Sequence, residues 1–343
     1  MKFAIIVPAH NESHHVRIAI DSLKECVPPS GSFDIVVIAD NCTDNTASIS
    51  EDAGCRVLKR TNEELRGKGY ALEFAFNQLI DEDYDAFIVV DADTRCQSNL
   101  LVEFEKKITQ GENVLQAPYL VDGSKNSVYS RIVSIGFRAF NYLRPSGREL
   151  LGFSAGIFGT GFALTKKAVT AVPYTASSIV EDLEYHISLV RAGFICRFVP
   201  ETCVYSEMPE GIKNSETQRS RWEGGRLRMI AERSWPLFKE VLQGRWRLIE
   251  PLLELLMLPL WMHVTMISFI VLSSSTYLNI YSYIGIVVVF VHIVAAILST
   301  GGGLKELKVL FLVPKYILWK IVISNSILRK AGKNAGWERT GRD

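Results

Sequence analysis

Ala86-Phe87-Ile88-Val89-Val90-Asp91-Ala92-Asp93 is five apolar residues in succession, closed by two carboxylates at i and i+2. An unbroken apolar run suits a strand buried on both faces, as parallel strands between helices are. In open α/β sheets, ligands bind in the crevice outside the carboxyl ends of such strands. Hard divalent cations such as Mg²⁺ take a few carboxylate oxygens and keep room for substrate phosphates. The triplet is therefore a candidate metal–diphosphate site. Asp-x-Asp is also common in solvated turns, so the rest of the chain decides between the two readings.

Upstream, Phe3-Ala4-Ile5-Ile6-Val7 is another buried strand, ending at Pro8. Helical spacing follows over residues 16–23, a second buried strand over 34–39, a capped helix start over 44–49, a short third strand over 55–58 and a helix over 69–79. Alternating strands and helices imply right-handed parallel crossovers and a doubly wound sheet. Polar residues gather after each strand: His10, Asn11 and Glu12, then Asp40 to Asp44, then Asp91 and Asp93. A nucleotide crevice requires that clustering. No Gly-x-Gly-x-x-Gly loop or Walker motif is present, which argues against dinucleotide oxidoreduction and P-loop chemistry.

The 343 residues carry a net charge of +1, which leaves no electrostatic footprint for nucleic acid. Cysteines at 26, 42, 55, 96, 196 and 203 lack zinc or Cys-x-x-Cys spacing. With no leader before the first strand, reduced thiols in a cytosolic setting are expected. From Pro251 the composition changes. Residues 252–275 hold one Glu and one His, and 277–299 hold no charged side chain. Each run is long enough to cross a bilayer, which needs about 20 apolar residues. Arg245, Arg247, Lys305 and Lys308 flank the pair, so a membrane hairpin with both ends inside is expected. Residues 307–328 contain Pro314, Lys315 and Lys320, and fit an interfacial amphipathic helix whose lysines stay with the headgroups. The expected division is a cytosolic domain over 1–235, an interfacial linker helix over 236–250, two transmembrane helices over 251–300, and an interfacial helix with a cytosolic tail over 301–343.

Several motifs recur in one order: Ile6-Val7-Pro8-Ala9-His10-Asn11-Glu12, Asp40 to Thr46, Gly67-Lys68-Gly69, Asp91-Ala92-Asp93, Gln116-Ala117-Pro118-Tyr119, Phe158-Gly159-Thr160-Gly161, Glu181-Asp182, Gln218-x-x-Arg221-Trp222 and Trp337-Glu338-Arg339-Thr340. The ordered set resembles family 2 glycosyltransferases of the GT-A fold, and Gln-x-x-Arg-Trp resembles their cellulose- and hyaluronan-synthase-like membrane branch. The resemblance implies an α/β doubly wound mixed sheet, a nucleotide-sugar donor with UDP the common carrier, and Mg²⁺ or Mn²⁺. It makes Asp93 the direct metal ligand, with Asp91 near the ribose or metal. Pro8, Ala9, Asn11, Glu12 and Asp40 would line the nucleotide, and Lys68 would reach the diphosphate. Gly159, Thr160 and Gly161 would form an acceptor-side turn.

An acceptor hydroxyl is a weak nucleophile and needs a base; Asp182 is the candidate, with Glu181 orienting the site. One base without a covalent intermediate implies inversion. Arg221 would neutralise the leaving diphosphate, and Gln218 and Trp222 would serve the acceptor. Each has a plainer reading. Glu181 and Asp182 suit a helix N-terminus by charge alone, Asp44 suits a cap, Lys68 a solvated side chain, and Trp222 an interfacial anchor. His186, one turn after Asp182, could face the site.

The expected function is transfer of a hexose to a membrane lipid or lipid-linked saccharide, by a multi-pass protein of a bacterial-type cytoplasmic membrane. The catalytic domain would face the cytoplasm. The alternative is a processive polysaccharide synthase, for which a homo-oligomer or partner would supply the channel that two spans do not. A membrane-anchored sugar-binding or scaffolding protein is the third class; it predicts donor binding without turnover.

Overall fold

The computed structural model describes residues 1–121, 128–175, 180–206 and 212–324, with the side chains of 128, 129, 212–221 and 304 left outside that description. The Trp337-Glu338-Arg339-Thr340 tail therefore lies outside the described residues. The chain forms two compact units. One comprises Met1–Leu120, Pro145–Glu207 and Lys239–Pro251; the other comprises Val121–Arg144, Met208–Phe238 and Leu252–Asp343.

The first unit opens with β1 (Lys2–Ala9), α1 (Val16–Lys24), β2 (Ser32–Asp40), α2 (Thr46–Asp52), β3 (Arg56–Arg60), α3 (Lys68–Leu79) and β4 (Ala86–Val89). Short β5 (Thr94–Cys96), α4 (Leu100–Thr109), β6 (Val114–Gln116) and β7 (Tyr119–Val121) follow. After α5 (Val128–Arg138) and a π-helical turn, Ala139–Leu143, both in the second unit, come α6 (Arg144–Leu150), β8 (Phe162–Thr165), α7 (Lys166–Ala171), α8 (Glu181–Arg191), β9 (Cys196–Phe198) and β10 (Val204–Ser206).

Among the described residues the main sheet has the order β3-β2-β1-β4-β8-β6-β9, and a small sheet has the order β5-β10-β7. The pairs β3–β2, β2–β1 and β1–β4 are parallel; β8 runs antiparallel to both β4 and β6. The expected doubly wound mixed sheet is thus the one observed. Phe3, Ile5, Val37, Ile88 and Leu115 are sealed in its core. Helix α1 adds Val16, Ala19, Ile20 and Leu23, the 3.6-residue stripe of a core-facing helix. Helix α2 begins at Thr46, two residues after Asp44, whose carboxylate accepts the Thr46 N–H at 2.9 Å.

Register explains where the polar ends meet. Asp40 lies opposite Arg60 across the β2–β3 pair. Antiparallel pairing puts the start of β8 beside the end of β4, Phe162 opposite Val89, and beside the end of β6, Phe162 opposite Gln116. The 158–161 turn thereby arrives at Asp91.

The second unit is helical: α5, most of α9 (Ile212–Leu242), α11 (Leu260–Ile270), α12 (Thr276–Ser299), α13 (Leu304–Val309) and α14 (Val313–Val322), with α10 (Ile249–Leu256) at the boundary. The 24 residues of α12 span about 36 Å at 1.5 Å per residue, enough for the hydrocarbon core of a bilayer. It is the one described helix long and apolar enough to cross alone. The first expected span differs from the sequence reading. It breaks between Leu256 and Leu260 with a 75° bend, and Pro259 stands at the N-cap of α11. Proline lacks the N–H to continue the ladder and disfavours helix in the residue before it. The pair α10–α11 is long enough to cross only if counted together.

Gly161 has φ +66°, and a Cβ there would sit 2.6 Å from Val204 Cγ2. Gly161→Ala is expected to cost about 1–3 kcal/mol from backbone strain and overpacking. Thermal unfolding of the purified protein checks this; an unchanged midpoint would contradict the packing described.

Candidate active site

Two clusters form at the carboxyl ends of the parallel strands. The first joins the loops after β1, β2 and β3. Asn11 and Asn41 take left-handed backbone, φ 56° and 49°, which asparagine tolerates better than most residues. The Asn11 side-chain oxygen accepts Thr43 N–H at 2.7 Å and Asp44 N–H at 3.3 Å, while its amide donates to Thr43 Oγ1 at 3.2 Å. Glu12 N–H donates to Thr46 Oγ1 at 2.8 Å, and the Cys42 thiol donates to Ala9 O at 3.4 Å. Pro8 is half-buried at the end of β1. Asp40 is nearly sealed and ion-paired with Arg60 at 2.5 Å. Arg60 also donates to Leu65 O at 2.8 Å, and so holds the loop that leads to Lys68.

The second cluster is electrostatic. Lys68, at the start of α3, pairs with Asp91 and donates to Gly159 O at 2.7 Å. Gly159 has φ +80°; a Cβ there would lie 3.5 Å from both Asp182 Oδ2 and Lys68 Nζ. Asp91 N–H donates to Thr160 Oγ1 at 3.0 Å. Strand end, glycine turn and the first turn of α8 therefore converge on one ammonium. Burial opposes the charge of Lys68, but Asp91, Glu181 and Asp182 outweigh it and hold its pKa above the ordinary value. Burial, and then the like charge of Asp182, push the Glu181 carboxyl up to about 7, against the opposing pull of Lys68. Tyr174 packs 4.5 Å from the Tyr185 ring, and burial with the nearby carboxylates pushes its phenol well above the ordinary range. Asp182 Oδ1 accepts Leu183 N–H at 2.8 Å, so it also serves the helix start.

Asp93 stands beside Thr94, whose hydroxyl reaches Asp93 Oδ1 at 3.3 Å and Ser206 Oγ at 2.8 Å. Among the described residues, no three metal-ligating side chains cluster. The donor set still fits a hard divalent cation, because Mg²⁺ needs only one or two carboxylates and completes its shell with phosphates and water. Asp91 and Asp93, both half-buried at the strand end, would be those two.

Gln218 and Arg221 sit on α9, with side chains outside the described residues. Trp222 belongs to the helical unit and packs on Phe137 of α5, ring centroids 6.4 Å apart. His186 does not face this cluster. It is buried against Ser154, 2.7 Å from its hydroxyl, and burial lowers its pKa to about 3, so it stays neutral. Arg60 was missed in the sequence, and Gln116 was named there only within a motif, without a role. Arg60 is the last residue of β3, and only the strand register sets it beside Asp40. Gln116 is fully buried; its amide donates to Thr160 O at 2.8 Å and accepts Phe158 N–H at 2.9 Å, which fixes the glycine turn.

A doubly wound sheet whose strand-end carboxylates meet a lysine and a helix-borne acid pair agrees with what the resemblance to GT-A glycosyltransferases implies. The sequence model of glycosyl transferase family group 2 matches residues 86–299. The chain belongs to that family. It is 23% identical over 247 residues to a probable glycosyltransferase, YdaM, of Bacillus subtilis, covering 69% of this chain and 58% of that protein. It is 25% identical over 248 residues to the poly-beta-1,6-N-acetyl-D-glucosamine synthase of Staphylococcus epidermidis, covering 69% and 57%. The chain thus spans less than two thirds of either relative. The fold matches the solved mannosyltransferase PcManGT of Pyrobaculum calidifontis, in complex with GDP-Man and Mn²⁺, with TM-score 0.56, 14% identity, and coverage of 97% of this chain and 86% of that one.

The raised pKa of Glu181 sets a pH dependence. Between its ordinary value, 4.5, and about 7, the folded state binds more protons than the unfolded. Stability of the metal-free protein therefore falls as pH rises through that window. Denaturant titrations from pH 4.5 to 8 are expected to show the fall in wild type and a flatter profile in Glu181→Gln; matching profiles would refute the assignment.

Proposed function

We propose that this protein transfers a hexose from a nucleotide sugar, UDP-linked, to a membrane-associated lipid or lipid-linked saccharide, with inversion at the sugar. The observation that carries the reading is the convergence of Asp91, Lys68, the Gly159 carbonyl and the Glu181-Asp182 pair at the strand ends. Asp40 and the Asn11 loops would hold the nucleotide. Asp91 and Asp93 would hold Mg²⁺ or Mn²⁺, which when bound supplies Lewis-acid neutralisation of the diphosphate. Lys68 would exchange its Asp91 partner for the diphosphate and stay charged throughout. Asp182 Oδ2, the oxygen nearer Gly159, would take the proton of the acceptor hydroxyl as the new bond forms. Glu181, protonated part of the time near neutrality, would limit repulsion beside Asp182. Gln218, Arg221 and Trp222 would complete the acceptor side.

The membrane acceptor is supported by α12 and by the exposed Tyr277, Tyr281 and Tyr283 near its start, because tyrosines belong to the aromatic belt of a bilayer. The positive flanks Arg245, Arg247, Lys305 and Lys308 support a catalytic unit that faces the cytoplasm. The synthase relative supports a second reading, processive polymer formation with an oligomer or partner.

Detergent-purified protein offered UDP- and GDP-sugars with Mn²⁺ and a lipid extract should yield a lipid one hexose heavier by mass spectrometry. A ladder of products would favour the processive reading. Asp182→Asn should lower kcat by at least about 10²-fold while donor Kd stays within a few fold; near-normal turnover would remove Asp182 as the base. Excess chelator should abolish transfer, and Mn²⁺ should restore it.

A further inference from the structure

The helical unit holds a buried ion pair that the reaction described above does not use. Lys320 of α14 is fully buried, against the sequence expectation that it reaches headgroups. Its ammonium donates to Glu223 Oε1 at 2.6 Å, and the Trp261 indole of α11 donates to Glu223 Oε2 at 2.9 Å. One carboxylate thus joins three helices with both oxygens bound. The reason for the departure is local. A lysine on an apolar helix can snorkel outward or find a buried partner, and α9 presents one.

Glu223 directly follows Trp222. Successive helical residues point about 100° apart, and the two indeed engage different neighbours, Trp222 against α5 and Glu223 against α11 and α14. One turn on, Arg226 donates to Glu254 O and, at 3.0 Å, to Met257 O. These carbonyls precede the break at Pro259, where the helical ladder runs out; Glu254 O keeps a long bond from Met257 N–H at 3.3 Å. Helix α9 is therefore gripped on several sides within five residues. Rotation about its axis would break these contacts together.

We propose that Glu223 is a positioning residue: clamped by Lys320 and Trp261, it fixes the rotation of α9, the helix that carries Gln218, Arg221 and Trp222, the residues proposed for the acceptor. The acceptor role rests on the function proposed above; the clamp itself does not. Breaking one side of a buried pair leaves an uncompensated charge, whereas neutral replacement of both sides is tolerated far better.

The test uses the full chain with Glu223→Gln, Lys320→Met, their combination, and Trp261→Phe, which removes one hydrogen bond while leaving the ion pair. Amide hydrogen exchange across 222–228 should speed up by about tenfold or more in Glu223→Gln, with β1 and β4 unchanged. Unchanged exchange there overturns the clamp, whatever the activity. Acceptor KM should rise about tenfold in the single charge variants and about threefold in Trp261→Phe, with donor KM and acceptor-free donor hydrolysis within about twofold of wild type. The double variant should recover most of the loss. Equal loss of donor hydrolysis, or no recovery in the double variant, overturns the positioning role. If a single charge variant fails to fold, Trp261→Phe and the double variant carry the same reading. A wild-type protein that transfers no sugar refutes the proposed function, while the exchange result still decides the clamp.

Discussion

Three carboxylates and one ammonium set the terms of the strand-end site. Asp91, Glu181 and Asp182 all act on Lys68, and like charges so close destabilise one another in proportion to how dry the site is. Lys68 offsets part of that repulsion; burial first, and then the remaining repulsion from Asp182, raise the pKa of Glu181. The position of Lys68 is consequently not adjustable. It needs the β4 end, the 158–161 turn and the start of α8 all in place. Arg60, by holding Leu65 O, ties that same loop to Asp40 across the sheet.

Backbone that must carry polar groups into a crevice cannot rely on ladder hydrogen bonds, so buried side chains take over the pairing. Gln116 does this for the glycine turn, using both ends of its amide. Asn11 and Asn41 do it for the β1 and β2 loops, at left-handed backbone positions that would strain a bulkier residue. Asn41 N–H reaches Arg60 O at 2.8 Å and its side-chain oxygen accepts Asn62 N–H at 2.8 Å, so the β2 and β3 loops share one network. The three loops behave as one built surface.

What the sequence could and could not reveal follows the range of each interaction. Strand β4, α1 and α3 were legible because burial on both faces, or on one stripe, leaves a local pattern. Asp91, Lys68 and Glu181-Asp182 were legible as motifs. Arg60 was not, because its partner is set by strand register 20 residues away. The role of Gln116 was not, because it depends on an antiparallel strand reaching the same edge. His186 carried no local sign that Ser154 would bury it. The bend at Pro259 was written in the sequence, yet the apolar run around it read as one span. The destination of Lys320 required knowing that Glu223 lay opposite.

Charge arithmetic at the site leads one step further under the proposed function. A diphosphate brings at least two negative charges to a place already holding Asp91, Asp93, Asp182 and, part of the time, Glu181. Among the described residues, Lys68 is the ammonium that pairs with Asp91 and lies beside the Gly159 carbonyl there. Coulomb repulsion between unit charges 4 Å apart is about 4 kcal/mol at an effective dielectric of 20, so added positive charge would stabilise such an assembly. A divalent cation on Asp91 and Asp93 would neutralise those two carboxylates and release Lys68 from Asp91 toward the diphosphate. Metal and donor would then bind with positive coupling, each favouring the arrangement of Lys68 that the other needs. The acid pair on α8 would be left to the acceptor, with Lys68 as the link between the two halves.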